Sequence, residues 1–312
     1  VHWTAVLDNQ PVGQGAGETT VNPAESGQVA IEFAIPAVAA RGVGEIRAEV
    51  TANGAAVPVA VFALQAHPKP AALAAPAGWF AYDPVGRTAK ALAAAGAKLP
   101  AVPEAGLPVD AKVLVVGSEA LGVGVRPAFF RDLPARVNAG LQVLFFEQTP
   151  VALESVFGLR AFTRATRQVW LRDAAHSFVR GLSNPDLADW RGRTTLGPLD
   201  GPPQNLEESQ RWKRVWRCSQ RGTVTSTIVE KPHVGSFRPI LDCEFDLRYM
   251  ALWEVFEGQG RMVFCQLDVS DRLGKEPAAD LLVRNLLDDM RAWTASKPTP
   301  TALVVSDDAL LD

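Results

Sequence analysis

"KVLVVGSEALG", residues 112–122, decides the fold: four consecutive apolar residues, Val113–Val116, stop at Gly117-Ser118. A strand wetted on one face alternates apolar and polar side chains, so an unbroken apolar run ending in glycine marks a strand covered on both faces. Upstream, WFAY (79–82) is a second short apolar strand. In the DPVGRT turn after it (83–88), Asp83 or Thr88 is placed to cap a helix whose Ala89, Leu92 and Ala93 share a face and which ends at Gly96. Downstream, RPAFFRDLPARVNAG (126–140) reads as one helix or a pair of short ones, because Pro134 interrupts it; LQVLFFEQ (141–148) is a third apolar strand. Strands alternating with helices, each strand apolar throughout, predict an α/β class with a parallel sheet flanked by helices.

Further out the pattern changes on both sides. Residues 1–66 read as all-β: short β-prone runs alternate with Asp-Asn, Gly-rich and Pro-Ala-Glu-Ser-Gly turns, and Asn53-Gly54 is a strong hairpin signal. Five to seven short strands in that length predict a small immunoglobulin-like β-sandwich. HPKPAALAAPAG (67–78) is a Pro/Ala-rich linker, and the α/β domain spans 79–296. Within it, about 160–260, TRQVWL, RWKRVWRC, TVTSTIVE and MALWEVFE read as strands between polar loops, a β-rich elaboration of the same domain. GRMVFCQLDV (260–269) returns to a buried strand. In EPAADLLVRNLLDDMRAWTAS (276–296), Pro277 sits in the first turn of a helix with Ala279, Leu282, Val283, Leu286, Met290 and Trp293 on one stripe. After the SKPTPT linker, ALVVSDDALL (302–311) echoes VLVVGSEALG, so 301–312 reads as the start of a truncated further unit. With an opening that is already strand-like, the chain reads as a fragment of a longer protein.

Charge narrows the partners. The 312 residues carry 31 Lys and Arg against 34 Asp and Glu, a net charge of −3 with no like-charge block, which disfavours nucleic acid. The aromatic-basic stretch QRWKRVWR (210–217) reads at period 2 as a strand with one charged face. No run of 18 apolar residues occurs, so no membrane span is expected. Cys218, Cys243 and Cys265 lie in apolar or strand-like settings and read as buried thiols rather than a disulfide framework.

Few residues carry the chemistry of a catalytic motif. Ser118 follows a strand as a hydrolase nucleophile would, but the small residues needed two positions either side are replaced by Val116 and Ala120 on the tight turn. The turn reading prevails. YDPVGRT (82–88) has the Gly-x-Thr ending of a flavodoxin phosphate loop, yet Asp83 adds a negative charge and Pro84 removes an amide donor, so no flavin or nucleotide is expected. No cysteine or histidine cluster has zinc spacing, and no cofactor is predicted. In LDCEFD (241–246), Asp242, Glu244 and Asp246 share a face if extended, suiting a glycosidase pair, a Ca²⁺ site or, more simply, a solvated strand face. Glu147 and Asp268 each end an apolar run and belong at the carboxyl edge of the sheet, where α/β folds bind ligands; with Asp83 they form the candidate polar site, the alternative being loop caps. Trp190, Arg191 and Tyr249 offer flat rings beside a guanidinium, suited either to glycan stacking or to burial in an interface.

GLSNPDLADWRG (181–192), the run from Val229 to Val269 and PAADLLVRNLLDDM (277–290) resemble the C-terminal region of large bacterial proteins related to glycoside hydrolase family 2. There an immunoglobulin-like sandwich precedes an α/β domain similar to class I glutamine amidotransferases, a flavodoxin-like sheet architecture. The resemblance implies a non-catalytic accessory segment of a carbohydrate-active enzyme. Its partners would be the rest of the parent polypeptide, a glycan or further copies of itself, in a secreted or periplasmic setting. It transfers no catalytic residues: the amidotransferase Cys-His-Glu set has no match here. A stand-alone hydrolase or transferase acting through Glu147, Asp268 and a loop histidine is the other reading.

Overall fold

The computed structural model describes residues 1–122, 126–190, 194–196, 218–220 and 223–295, with backbone alone for 194–196 and 218–220. The unit expected at 301–312 and the stretch 210–217 lie outside those residues. The chain divides into two compact units, Val1–Ala71 and Ala72–Asp312.

The first unit is all-β. Strands β1 (His2–Leu7), β2 (Gln10–Ala16), β3 (Gly42–Glu49) and β6 (Ala60–Ala66) form an antiparallel sheet in the order β2-β1-β3-β6, while β4 (Thr51–Ala52) and β5 (Ala55–Ala56) make a small hairpin. The two hairpin turns are of the kind the sequence marks: Asp8 and Asn9 have φ of 48° and 62°, Asn53 and Gly54 of 49° and 78°. Paired positive φ values match the right-handed twist of the flanking strands. Period-2 alternation buries Trp3, Ala5 and Leu7 of β1. Residues 17–41 are not paired into strands, and Ile31 and Phe33 from this stretch cover Trp3, with the Trp3 and Phe33 rings 5.6 Å apart.

The second unit opens with β7 (Trp79–Tyr82), α1 (Arg87–Ala94), β8 (Val113–Val116), α2 (Leu133–Asn138), β9 (Gln142–Phe146) and α3 (Pro150–Phe157). Pro134 lies in the first turn of α2, after a separate 3-10 turn at Ala128–Arg131, so it starts a helix rather than bending one. The elaboration adds β10 (Ala161–Thr166), β11 (Val169–Leu171), β12 (Thr194–Leu196), β13 (Cys218–Gln220), β14 (Thr225–Glu230), β15 (Phe237–Cys243) and β16 (Tyr249–Glu257). Strand β17 (Gly260–Cys265) and helix α4 (Pro277–Ala292) follow. Strands β7, β8, β9 and β17 pair in parallel; β16, β14 and β10 continue the same sheet antiparallel, and β15 and β11 branch from β16. The result is an α/β fold with a mixed sheet whose β-rich elaboration extends the sheet itself.

Alternate residues of the apolar strands feed opposite cores. Val113 and Val115 pack with Leu92 of α1 and the Leu282–Leu286 stripe of α4, while Leu114 and Val116 pack with Val137 of α2 and Leu153 of α3. Across the junction of the parallel and antiparallel halves the rings of Phe145, Phe264 and Trp253 stack at 4.6 Å and 4.8 Å. Near the start of β17, the buried Arg261 pairs with Glu254 at 3.0 Å and with Asp289 of α4, and lies over the Trp293 ring at 4.6 Å. Trp293 therefore serves α4 from just beyond its end. Cys243 and Cys265 are buried and free; burial pushes the Cys243 thiol up to about 12.

The segment read as a linker is divided in its attachment. Leu73 donates its amide to Ala95 O at 2.8 Å and packs on the core of the second unit, and Arg291 reaches Ala74 O. Gly96, at φ 107°, permits that approach, since a Cβ there would meet Leu73 O at 2.8 Å. Among the described residues no helix is long and apolar enough to cross a membrane.

Candidate functional site

The turns that end β8, β9 and β17 meet in a cleft of about 640 Å³ at the carboxyl edge of the parallel strands. Its walls carry Ser118 and Glu119 after β8, Glu147 and Gln148 after β9, Gln266, Asp268 and Arg272 after β17, and Arg87 from the start of α1. Hydroxyls of Thr163, Thr223, Ser226 and Thr227 close the antiparallel side. Of the three acids expected at the edge, the fold brings Glu147 and Asp268 into the cleft and leaves Asp83 outside it. Asp83 Oδ1 and Oδ2 accept from the amides of Gly86 (3.0 Å) and Ala89 (2.7 Å), neutralising free donors at the start of α1. Its carboxylate also lies where a Gly117 side chain would be, 2.3 Å from an added Cβ. The glycine that ends the apolar run is thus a requirement of packing. Thr88, the alternative cap, is buried, and its hydroxyl meets the Ser118 amide and Ser270 Oγ instead.

Burial dominates the electrostatics. Desolvation pushes the Glu147 carboxyl up to about 8; bonds from the Ser270 amide (2.7 Å to Oε1) and hydroxyl (2.8 Å to Oε2) oppose it, and the charge of Asp268 adds to it. Asp268 is also raised by burial, against hydrogen bonds from Ser226 and Thr223 and the nearby charge of Arg272. A chain of hydroxyls joins the β8 turn to Glu147: the Ser118 amide donates to Thr88 Oγ1 (2.8 Å), Thr88 Oγ1 lies 2.8 Å from Ser270 Oγ, and Ser270 Oγ touches Glu147. With Glu147 ionised every donor along it points toward the carboxylate.

Ser118 is 1 % exposed, and its hydroxyl accepts from Arg87 Nη1 at 3.3 Å. No histidine lines the cleft among the described residues: His176 is buried against Glu254 at 3.1 Å, and His233 lies on an exposed loop. The left-handed residue of the turn is Glu119, at φ 58°, whose exposed carboxylate pairs with Arg87 at 3.3 Å. Among the described residues none provides Ser118 with a base.

The other candidates fall elsewhere. The LDCEFD acids do not form a solvated strand face, because β15 stops at Cys243 and Glu244 and Asp246 both take φ 60°. Asp242 is buried with Arg172 (3.2 Å) and Lys231 (2.7 Å), Glu244 holds Arg164 (3.0 Å), and Phe245 is 88 % exposed. Trp190 is 2 % exposed and donates Nε1–H to Asp186 O at 2.8 Å, so its ring faces are core and closed to a glycan. Arg191 lies outside the described residues. Tyr249 is half-buried in β16, edge-on to Phe162 at 5.8 Å. Neither ring lines the cleft. Among the described residues no group of three His, Cys, Asp or Glu side chains is placed to hold a metal.

Sequence reasoning missed Gln148, Gln266, Arg87 and Arg272. A signal existed for the two glutamines: each follows an apolar strand, in LFFEQ and VFCQLD, where a polar residue at an abrupt strand end sits on the ligand edge. Gln148 Oε1 accepts from the Leu121 amide, its Nε2 donates to Gly117 O (2.7 Å), and its amide meets Gln266 Oε1 at 2.8 Å.

No protein-family model matches the sequence, and no curated protein matches it. Among solved structures, a cytoplasmic protein from Salmonella typhimurium is similar at 11 % identity and TM-score 0.39, over 82 % of this chain and 97 % of that one. A protein from Thermoplasma acidophilum described as a GMP synthase subunit is similar at 9 % identity and TM-score 0.37, over 69 % and 94 %. The exo-beta-1,4-mannosidase Op5Man5 from Opitutaceae bacterium strain TAV5 is similar at 14 % identity and TM-score 0.36, over 67 % of this chain and 35 % of that one. The likeness is weak and of fold alone.

Proposed function

We propose that this chain is a non-catalytic accessory segment of a carbohydrate-active enzyme related to glycoside hydrolase family 2, supporting domain packing, subunit contacts or glycan binding. The enzyme class comes from the resemblance of the sequence. The non-catalytic role rests on one observation: both oxygens of Glu147 and both of Asp268 are held by amide and hydroxyl donors of the loops they close, Ser270 for the first, Ser226 and Thr223 for the second. Glycoside hydrolysis needs one carboxyl free to protonate the leaving oxygen and another free to attack or activate water. Carboxyls committed to clamping loops do neither without releasing them.

The hydrolase or transferase reading has one observation in its favour, the Glu147 carboxyl at about 8, which keeps a proton at neutral pH as a general acid must. An assay of the purified chain on aryl glycosides and polysaccharides, with Glu147→Gln and Asp268→Asn beside it, separates the two. The accessory role predicts no turnover above the background shared by both variants. Turnover lost in either variant would overturn it.

A further inference from the structure

The four-stranded sheet of the first unit protects one edge and leaves the other open. Edge strand β2 carries Pro11, which has no amide to offer, and two glycines, and its register with β1 shifts between Pro11 and Gly13. Edge strand β6, AVFALQA, holds no charge, no proline and no glycine. One side of it pairs with β3, the other with no strand among the described residues. The Asp8 amide donates to Val43 O, so Val43 turns its peptide groups toward β1; Gly42, Gly44, Ile46 and Ala48, which alternate with it, turn theirs toward β6. Their partners Ala66, Leu64, Phe62 and Ala60 therefore bond inward. The amides and carbonyls of Val61, Ala63 and Gln65 point outward.

The cover over the apolar face is also one-sided. Phe33 packs on Trp3 and lies where a Gly13 side chain would be, at the β2 end. On the same face of β6, Phe62 is 54 % exposed, and Val61 on the other face is 51 % exposed.

We propose that β6 is a dimer edge, pairing antiparallel with β6 of a second copy about a two-fold axis at Ala63 and joining the two sheets into one. In that register the strand is its own complement: Ala63 opposes Ala63, Val61 opposes Gln65, and Ala60 opposes Ala66, so the outward amides and carbonyls satisfy one another. Phe62 lies beside Leu64 of the second copy on the apolar face, where side chains of such a pair approach most closely. An uncharged strand sets no like charges against each other, and the blunted β2 edges stop growth at the dimer. The inference rests on the accessory reading only for its expectation of subunit contacts.

Sedimentation equilibrium of the full chain tests it. A reversible monomer–dimer equilibrium is expected, with a dissociation constant on the order of 10 μM because the contact is one strand wide. Ala63→Pro removes an outward amide and no bond to β3; it is expected to weaken the dimer at least about tenfold while circular dichroism stays that of the parent. Ala63→Cys is expected to form a disulfide with its counterpart under copper phenanthroline, since directly opposed residues lie about 5.5 Å apart at Cα. Val61→Cys, set opposite Gln65 rather than itself, is not. Should Ala63→Pro fail to fold, the two cysteine variants decide. A monomer up to about 200 μM, a dimer that a folded Ala63→Pro leaves intact, or cross-linking no faster at position 63 than at 61 would overturn the inference. Glycoside turnover would remove the accessory role and leave the dimer; a monomer would remove the dimer and leave the role.

Discussion

Glu147 holds its proton far above the range of an ordinary carboxyl, and the consequence shows in stability. An unfolded chain releases that proton near 4.5, the folded chain near 8. Between those values the folded state binds more protons, so stability falls as pH rises through the window and levels off above it. Asp268, raised for the same first reason, adds to the fall with the same sign. Glu147→Gln keeps the shape of the neutral acid: its carbonyl accepts from the Ser270 amide and its NH₂ donates to the Ser270 hydroxyl. The variant is expected to lose less stability than the parent between about pH 5 and pH 8, and to melt roughly 2–8 °C higher at the upper end. A variant with the parent's pH slope and midpoint would show that Glu147 is ionised at neutral pH.

At the scale of elements, the β8 turn and the start of α1 depend on each other through Asp83. Gly117→Ala places a methyl against the Asp83 carboxylate and is expected to cost about 1–3 kcal/mol. Asp83→Ala strips the cap from α1 and is expected to cost about 0.5–2 kcal/mol. Combined, the two should cost less than their sum, because removing Asp83 makes room for the methyl. Strict additivity in denaturant unfolding would refute the coupling. These elements were the legible part of the fold: Val113–Val116 and Gln142–Phe146 are covered on both faces, and that burial is written as the unbroken apolar runs 113–116 and 143–146. Pairing Glu147 with Asp268 at one edge followed from their places after such runs. The acids of LDCEFD were misread because positive φ breaks the strand at Glu244, a residue type that does not mark such a bend, and again at Asp246. Gln266 and Arg272 stayed hidden, since an unpaired donor exists only once every partner has been placed.

For the whole molecule, the parallel sheet is assembled from distant parts of the chain. Strands β7, β8 and β9 lie close in sequence, but the partner on the other edge of β9 is β17, reached only after the entire elaboration. Long-range parallel pairing closes a large loop before any contact rewards it and is slow. The β16–β17 hairpin, by contrast, turns between Glu257 and Gly260 and closes locally. Pulsed hydrogen exchange during refolding is expected to protect β16 amides paired with β17 before β17 amides paired with β9; simultaneous protection would refute that order. During synthesis the apolar edge of β9 emerges from the ribosome well ahead of its mate. For as long as the elaboration is being translated, this chain presents the ribosome-bound state with an open, sticky strand, and its yield in a cell depends on how that interval is chaperoned.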